Sequence, residues 1–145
     1  MNQRQHKKLS RRLFVAILSG DTATVKAVLR AGIAADQPDG DGTTPLYLAS
    51  VNGEADIVRL LLKAGACPDT ESGGGPGAEG TALCAAACWG HTETVRELLA
   101  YGADPNRRED HGTGRSPLDW ANAGPHPETA GLLTAAGATV GGRTI

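Results

Sequence analysis

A chain of 145 residues with a formal net charge of −2 is the size of one ordinary domain. Aromatic residues make up 3%, with Phe14 the single phenylalanine, which excludes a thick core of large rings and leaves a thin one of Ala, Leu and Val. No apolar run approaches the ~18 residues needed to cross a bilayer, and three cysteines without paired spacing point to a reducing compartment, so a cytoplasmic protein with no membrane contact is expected.

Residues 1–8 are polar and basic, offer little to bury, and read as a disordered basic tail. Arg4, Lys7, Lys8, Arg11 and Arg12 fall in the first twelve residues with no acid among them. Subtracting these five from the 14 Lys and Arg leaves nine against 16 Asp and Glu, a balance of −7 for the body. An acidic body argues against nucleic acid as a partner, and a short basic head is most often simply solvated. Leu13-Phe14-Val15-Ala16-Ile17-Leu18 after this head is broken by Gly20-Asp21, too early for the core of a signal peptide. It opens instead a first helical unit over 9–38.

The second unit, 39–71, is the cleanest. Asp39-Gly40-Asp41-Gly42 reads as a tight turn at the tip of a hairpin-like loop. Thr44 suits a helix N-cap and Pro45 the first helical position, where its missing N–H costs nothing. Gly53 ends that short helix in the left-handed conformation that a residue without Cβ adopts freely. A second helix is predicted from Ala55 to Lys63, with Ile57, Val58, Leu61 and Leu62 on one face, ending at Gly65.

The third unit, 72–108, opens with the glycine-rich tract 72–80. The tract reads as a tolerated loop insertion; a phosphate-cradling loop would need a following Gly-Lys-Ser/Thr and a preceding strand, and has neither. Thr81-Ala82-Leu83-Cys84-Ala85-Ala86, then Gly90, Val95, Leu98, Leu99 and Gly102-Ala103 stand at the same offsets as Thr44-Pro45-Leu46-Tyr47-Leu48-Ala49, then Gly53, Val58, Leu61, Leu62 and Gly65-Ala66. Leu13, Ala16, Gly20 and Val25 fit the same frame in the first unit. In the fourth unit, 109–145, Ser116-Pro117-Leu118-Asp119-Trp120-Ala121 repeats the start, Pro125 takes the place of the glycine, and the chain after Gly137, Val140 included, is expected to cover part of the last apolar face.

This internal repeat resembles the ankyrin repeat, with its period of about 33 residues and its T-P-L-H-x-A signature. The resemblance covers about residues 9 to 138 and implies an all-α solenoid of four stacked helix-turn-helix units with hairpin-like loops, the terminal units acting as caps. It implies a protein-interaction module (an adaptor, scaffold or inhibitor) that meets one partner protein, as a monomer, on a concave face. Carried over by position, the helix sites are Val51, Asn52, Cys88, Trp89, Ala123 and Gly124, and the loop sites Asp41, Thr43, Gly80 and Arg115. Trp89 leads the set, because an exposed tryptophan offers a large contact area at small entropic cost; its indole alternatively covers the glycine-rich loop. Tyr47 and Trp120 read as packing residues.

Two other chemistries are weighed. Cys84, Cys88 and His91 have a Cys-x3-Cys-x2-His spacing, but three ligands fall short of a structural zinc site, and a small buried cysteine and a loop-bonding histidine account for them. No metal or other cofactor is expected. His6, His91, His111 and His126 are scattered, Asp119 is the carboxylate inside a signature helix, and no nucleophile-base pair converges, so the chain is not expected to be an enzyme. A nucleic-acid-associated regulator working through the basic head is the first alternative function, and a metal-binding protein through Cys84, Cys88 and His91 the lesser one.

Overall fold

The computed structural model describes residues 2–73 and 80–139. Val140 and the tail, and the interior of the glycine-rich tract, lie outside the described residues, and so do the expectations placed on them.

The described residues form four helix pairs: α1 (Gln3–Ser19) with α2 (Thr22–Arg30), α3 (Pro45–Val51) with α4 (Ala55–Lys63), α5 (Ala82–Cys88) with α6 (Thr92–Ala100), and α8 (Pro117–Ala123) with α9 (Pro127–Ala135). A one-turn helix, α7 (Glu109–Gly112), sits in the loop before the last pair. First helices α1, α3, α5 and α8 pack in sequence into one layer, and second helices α2, α4, α6 and α9 into the other. This is an all-α repeat solenoid. One continuous apolar core runs through it, with Leu13, Ile17, Ile57, Leu61, Leu98 and Leu133 fully enclosed.

The short first helices start where the sequence places them because their caps close. The hydroxyls of Thr44, Thr81 and Ser116 accept the backbone N–H groups of Tyr47, Cys84 and Asp119, and Asp119 returns a bond to the Ser116 N–H at 3.0 Å. Gly53 and Gly90 turn the chain between the paired helices at φ +67° and +69°. Pro125 cannot take that conformation. The fourth unit makes the turn with Gly124 at φ −66°, yet keeps the bond that closes it, His126 N–H to the Ala121 carbonyl at 2.7 Å.

One expectation is corrected. Of the stretch 1–8 expected to be a disordered tail, residues 2–8 are ordered, since α1 begins at Gln3 and is closed by a capping box between Asn2 and Gln5. Gln, Arg and Lys are good helix formers, and Leu9, Leu13, Ala16 and Ile17 anchor the helix to the core on one face, so the polar stretch continues it outward. The cations Arg4, Lys7, Lys8, Arg11 and Arg12 are all exposed on it.

Two sets of side chains tie each unit to the next. Asp36, Asp69 and Asn106, each four residues after a glycine, accept the backbone N–H of Cys67, Asp104 and Thr139 at 3.0, 2.9 and 2.8 Å. His91 Nε2 lies 3.0 Å from the Val51 carbonyl and His126 Nε2 2.9 Å from that of Cys88. A carbonyl only accepts, so Nε2 carries the proton in both rings. Each histidine thus satisfies a carbonyl at the open end of the preceding unit's first helix.

Candidate functional site

Where the third and fourth units meet, a cleft of about 310 Å³ opens between α3, α5, α7 and α8. It is lined by Tyr47, Cys84, Ala85, Cys88, Trp89, Glu109 and Trp120. Trp89, the C-cap of α5, is 62% exposed, which is unusual for so large an apolar side chain in so small a core. Tyr47 is buried and Trp120 half-buried against the core, so both do the packing expected of them while presenting an edge to the cleft.

Arg115 stacks its guanidinium over the Trp120 ring, 4.8 Å from the centroid. The loop that carries it is braced by Glu109 N–H to the Arg115 carbonyl at 3.1 Å and Gly114 N–H to the Glu109 carbonyl at 2.8 Å. That brace folds the Glu109 carboxyl inward. Its Oε1 lies 2.6 Å from where a Cβ on Gly80 would stand, and the Gly80 φ of +120° is what favours glycine there. Burial pushes the Glu109 pKa up, and Asp110 and Glu71 push the same way; the Trp120 Nε1–H, buried and without a well-formed hydrogen bond, and the Arg115 charge are near enough to pull against them.

Of the residues singled out in the sequence, the structure gathers Cys88, Trp89 and Arg115 around this cleft. Asp41 and Thr43 sit on a separate, exposed to half-exposed loop, where both N–H groups donate to Asp39 Oδ1 at 2.9 and 3.0 Å. At the end of α3, Asn52 is exposed, whereas the half-buried Val51 gives its carbonyl to His91. Ala123 and Gly124 are exposed at the end of α8, away from the residues lining the cleft. Gly80 is corrected: it is buried in an isolated antiparallel bridge with Ser72, under the Glu109 side chain, and presents no surface to a partner.

Cys84, Cys88 and His91 do not form a ligand set. His91 turns away to Val51, while the Cys84 thiol points at the carbonyls of Arg107 and Arg115, 3.8 and 3.7 Å off. Burial pushes that thiol up to about 12, which makes it a poor nucleophile at neutral pH. Among the described residues no group of three His, Cys, Asp or Glu side chains is placed to hold a metal ion. Sequence reasoning missed Glu109 entirely. It belongs to a loop whose one-turn helix has no counterpart in the second unit, so the repeat offset gives it no position.

Paired helices stacked in two layers, left-handed glycines at fixed offsets and hairpin-like loops are now joined by a direct comparison: the family model described as "Ankyrin repeats (3 copies)" matches residues 4–72 and 67–143. The chain belongs to the ankyrin repeat family. Ankyrin repeats are general protein–protein interaction modules, as a rule without enzymatic activity. This ankyrin stack is also similar to the protein named "Potassium channel KOR1" of Oryza sativa subsp. japonica, 48% identical over 62 residues. The match takes in 42% of this chain and 7% of that protein, so the chain spans a small fraction of that relative. Among the described residues no helix is long and apolar enough to cross a membrane.

Proposed function

We propose that this ankyrin stack is an adaptor, scaffold or inhibitor that holds one partner protein on its concave face, centred on the cleft between the third and fourth units. The observation that carries the reading is Trp89, a large ring 62% exposed at the rim of a cleft with two further aromatics in its wall. Aromatic anchors of this kind dominate the energy of protein interfaces. The stack holds them on pre-ordered helices, so little conformational entropy is lost on binding. The same reading takes the protein to act as a monomer in the cytoplasm, a setting with which its three free cysteines agree.

The test is Trp89→Ala, measured as partner affinity by calorimetry and as melting temperature. Affinity falls by about 2 kcal/mol or more, while thermal stability hardly changes, because the ring buries little. Unchanged binding, or a collapsed fold, removes Trp89 from the interface.

A second reading rests on α1, whose five exposed cations lie on an ordered helix, and makes the protein a nucleic-acid-associated regulator. Truncation separates the two. Binding through α1 loses affinity steeply as ionic strength rises and disappears when residues 1–12 are removed, whereas binding through Trp89 survives the truncation.

A further inference from the structure

The chain has two tryptophans, two tyrosines and one phenylalanine. Both tryptophans and one tyrosine stand around a single cleft, and the acid among its lining residues is Glu109. Among the described residues Glu109 makes no salt bridge, and no cation stacks on Trp89. Glu71 and Asp110 lie near enough to add their negative charge, and Arg115 near enough to offset part of it. The facing wall already shows what such a surface attracts, because the chain's own Arg115 guanidinium lies over the Trp120 ring.

These features discriminate between occupants. An anionic side chain meets the Glu109 carboxylate, the acid among the lining residues, and is repelled. A neutral apolar one covers Glu109 and desolvates its charge further, with only the Arg115 charge and the Trp120 indole near it to compensate, which is costly. A cation answers both features: the face of an indole carries the negative lobe of its quadrupole, and a carboxylate lining the same cleft supplies the counter-charge. A planar guanidinium stacks on indole while its N–H groups reach a carboxylate, which a compact, strongly hydrated ammonium does less well.

Resting on the concave-face reading above, we propose that the cleft takes a basic side chain, arginine in preference to lysine, from the partner's segment, stacked on Trp89 and facing Glu109. Arg115 then acts as a resident neighbour of like charge, which tempers the affinity of the cleft for any free cation.

The experiment uses the full chain labelled with ¹⁵N. Its two tryptophans give two indole N–H resonances, assigned with Trp89→Phe. Three capped pentapeptides, identical except for arginine, citrulline or glutamate at the centre, are titrated to millimolar concentration. Citrulline keeps the shape of arginine and removes its charge. The arginine peptide moves the Trp89 indole resonance saturably and binds about ten-fold more tightly than the citrulline peptide, and Glu109→Gln abolishes the difference while its amide spectrum stays that of a folded protein. Equal binding of arginine and citrulline at the indoles overturns the cation preference and leaves the concave face standing. Shifts confined to α1 or to the second-helix layer overturn both. No indole shift from the arginine peptide, or a Glu109→Gln variant that binds it as well as the original, also overturns the inference.

Discussion

The row of Asp36, Asp69 and Asn106 and the cleft around Trp89 both join neighbouring units, yet they are built in opposite ways. The row repeats: a side chain four residues after each glycine takes the N–H two residues after the next, three times over at 2.8 to 3.0 Å. The histidines repeat in the same spirit, His91 and His126 each closing a carbonyl of the unit before. The cleft has no second copy. Its Trp89, Arg115 and Trp120 occupy positions at which the other units carry unrelated residues, such as Asn52 in place of Trp89, and Glu109 stands in a one-turn helix without a counterpart in the second unit. Contacts that recur with the period hold the stack together, and a constellation that occurs once, at the cost of an exposed indole, is what such a stack has to offer a partner.

That division is broken or sharpened by substitution. The largest effect is expected at Gly90, which stands at φ +69° with His126 Nδ1 2.5 Å from where a Cβ would be. Gly90→Ala costs about 2–4 kcal/mol in chemical denaturation, from left-handed backbone strain plus the clash. In a His126→Ala background the cost falls to about 1–2 kcal/mol, the backbone part alone. Equal costs in both backgrounds would show that ring and glycine do not touch.

Asp69→Ala should cost less, about 0.5–1 kcal/mol, because the Asp104 N–H it frees is exposed and turns to water. Hydrogen exchange at the Asp104 amide speeds up; an unchanged rate would take the bond out of the account. Neither substitution alters partner affinity if the row serves the stack alone.

Glu109→Gln should give the smallest change in stability and opposite in sign. Its pKa is raised in the folded state, chiefly by burial, so the folded protein holds that proton more tightly than the unfolded chain. Stability therefore falls as pH rises from the unfolded pKa through the folded one, and levels off above it. The variant is the more heat-stable of the two at neutral pH, and the difference closes in acid, where the carboxyl is protonated in both states. A gap that widens towards low pH would reverse the assignment.

Most of the stack is legible in the sequence because its signals are local. Thr44 caps three residues on, Gly53 turns within one residue, and Leu61 and Leu62 repeat with the helix, so the helix ends and the number of units follow from short windows. Trp89 was reachable by the same offset. The extension of α1 was not, since its outer turns bury almost nothing and composition alone reads them as frayed; only the Asn2–Gln5 cap hints otherwise. Gly80 was misplaced because its burial depends on the Glu109 side chain arriving from a loop about thirty residues further along. The Asp36, Asp69 and Asn106 row stood in plain view at a constant offset, but each partner lies a whole unit away and no local rule pairs them.

The account turns on which surface meets the partner, and amide hydrogen exchange of the complex against the free chain tests it most directly. Protection gathered at the end of α5, in the loop 107–115 and at the start of α8, with α2, α4, α6 and α9 unchanged, is the predicted result. Protection spread over the second-helix layer or confined to α1, with the Trp89 region exchanging as in the free protein, would contradict it.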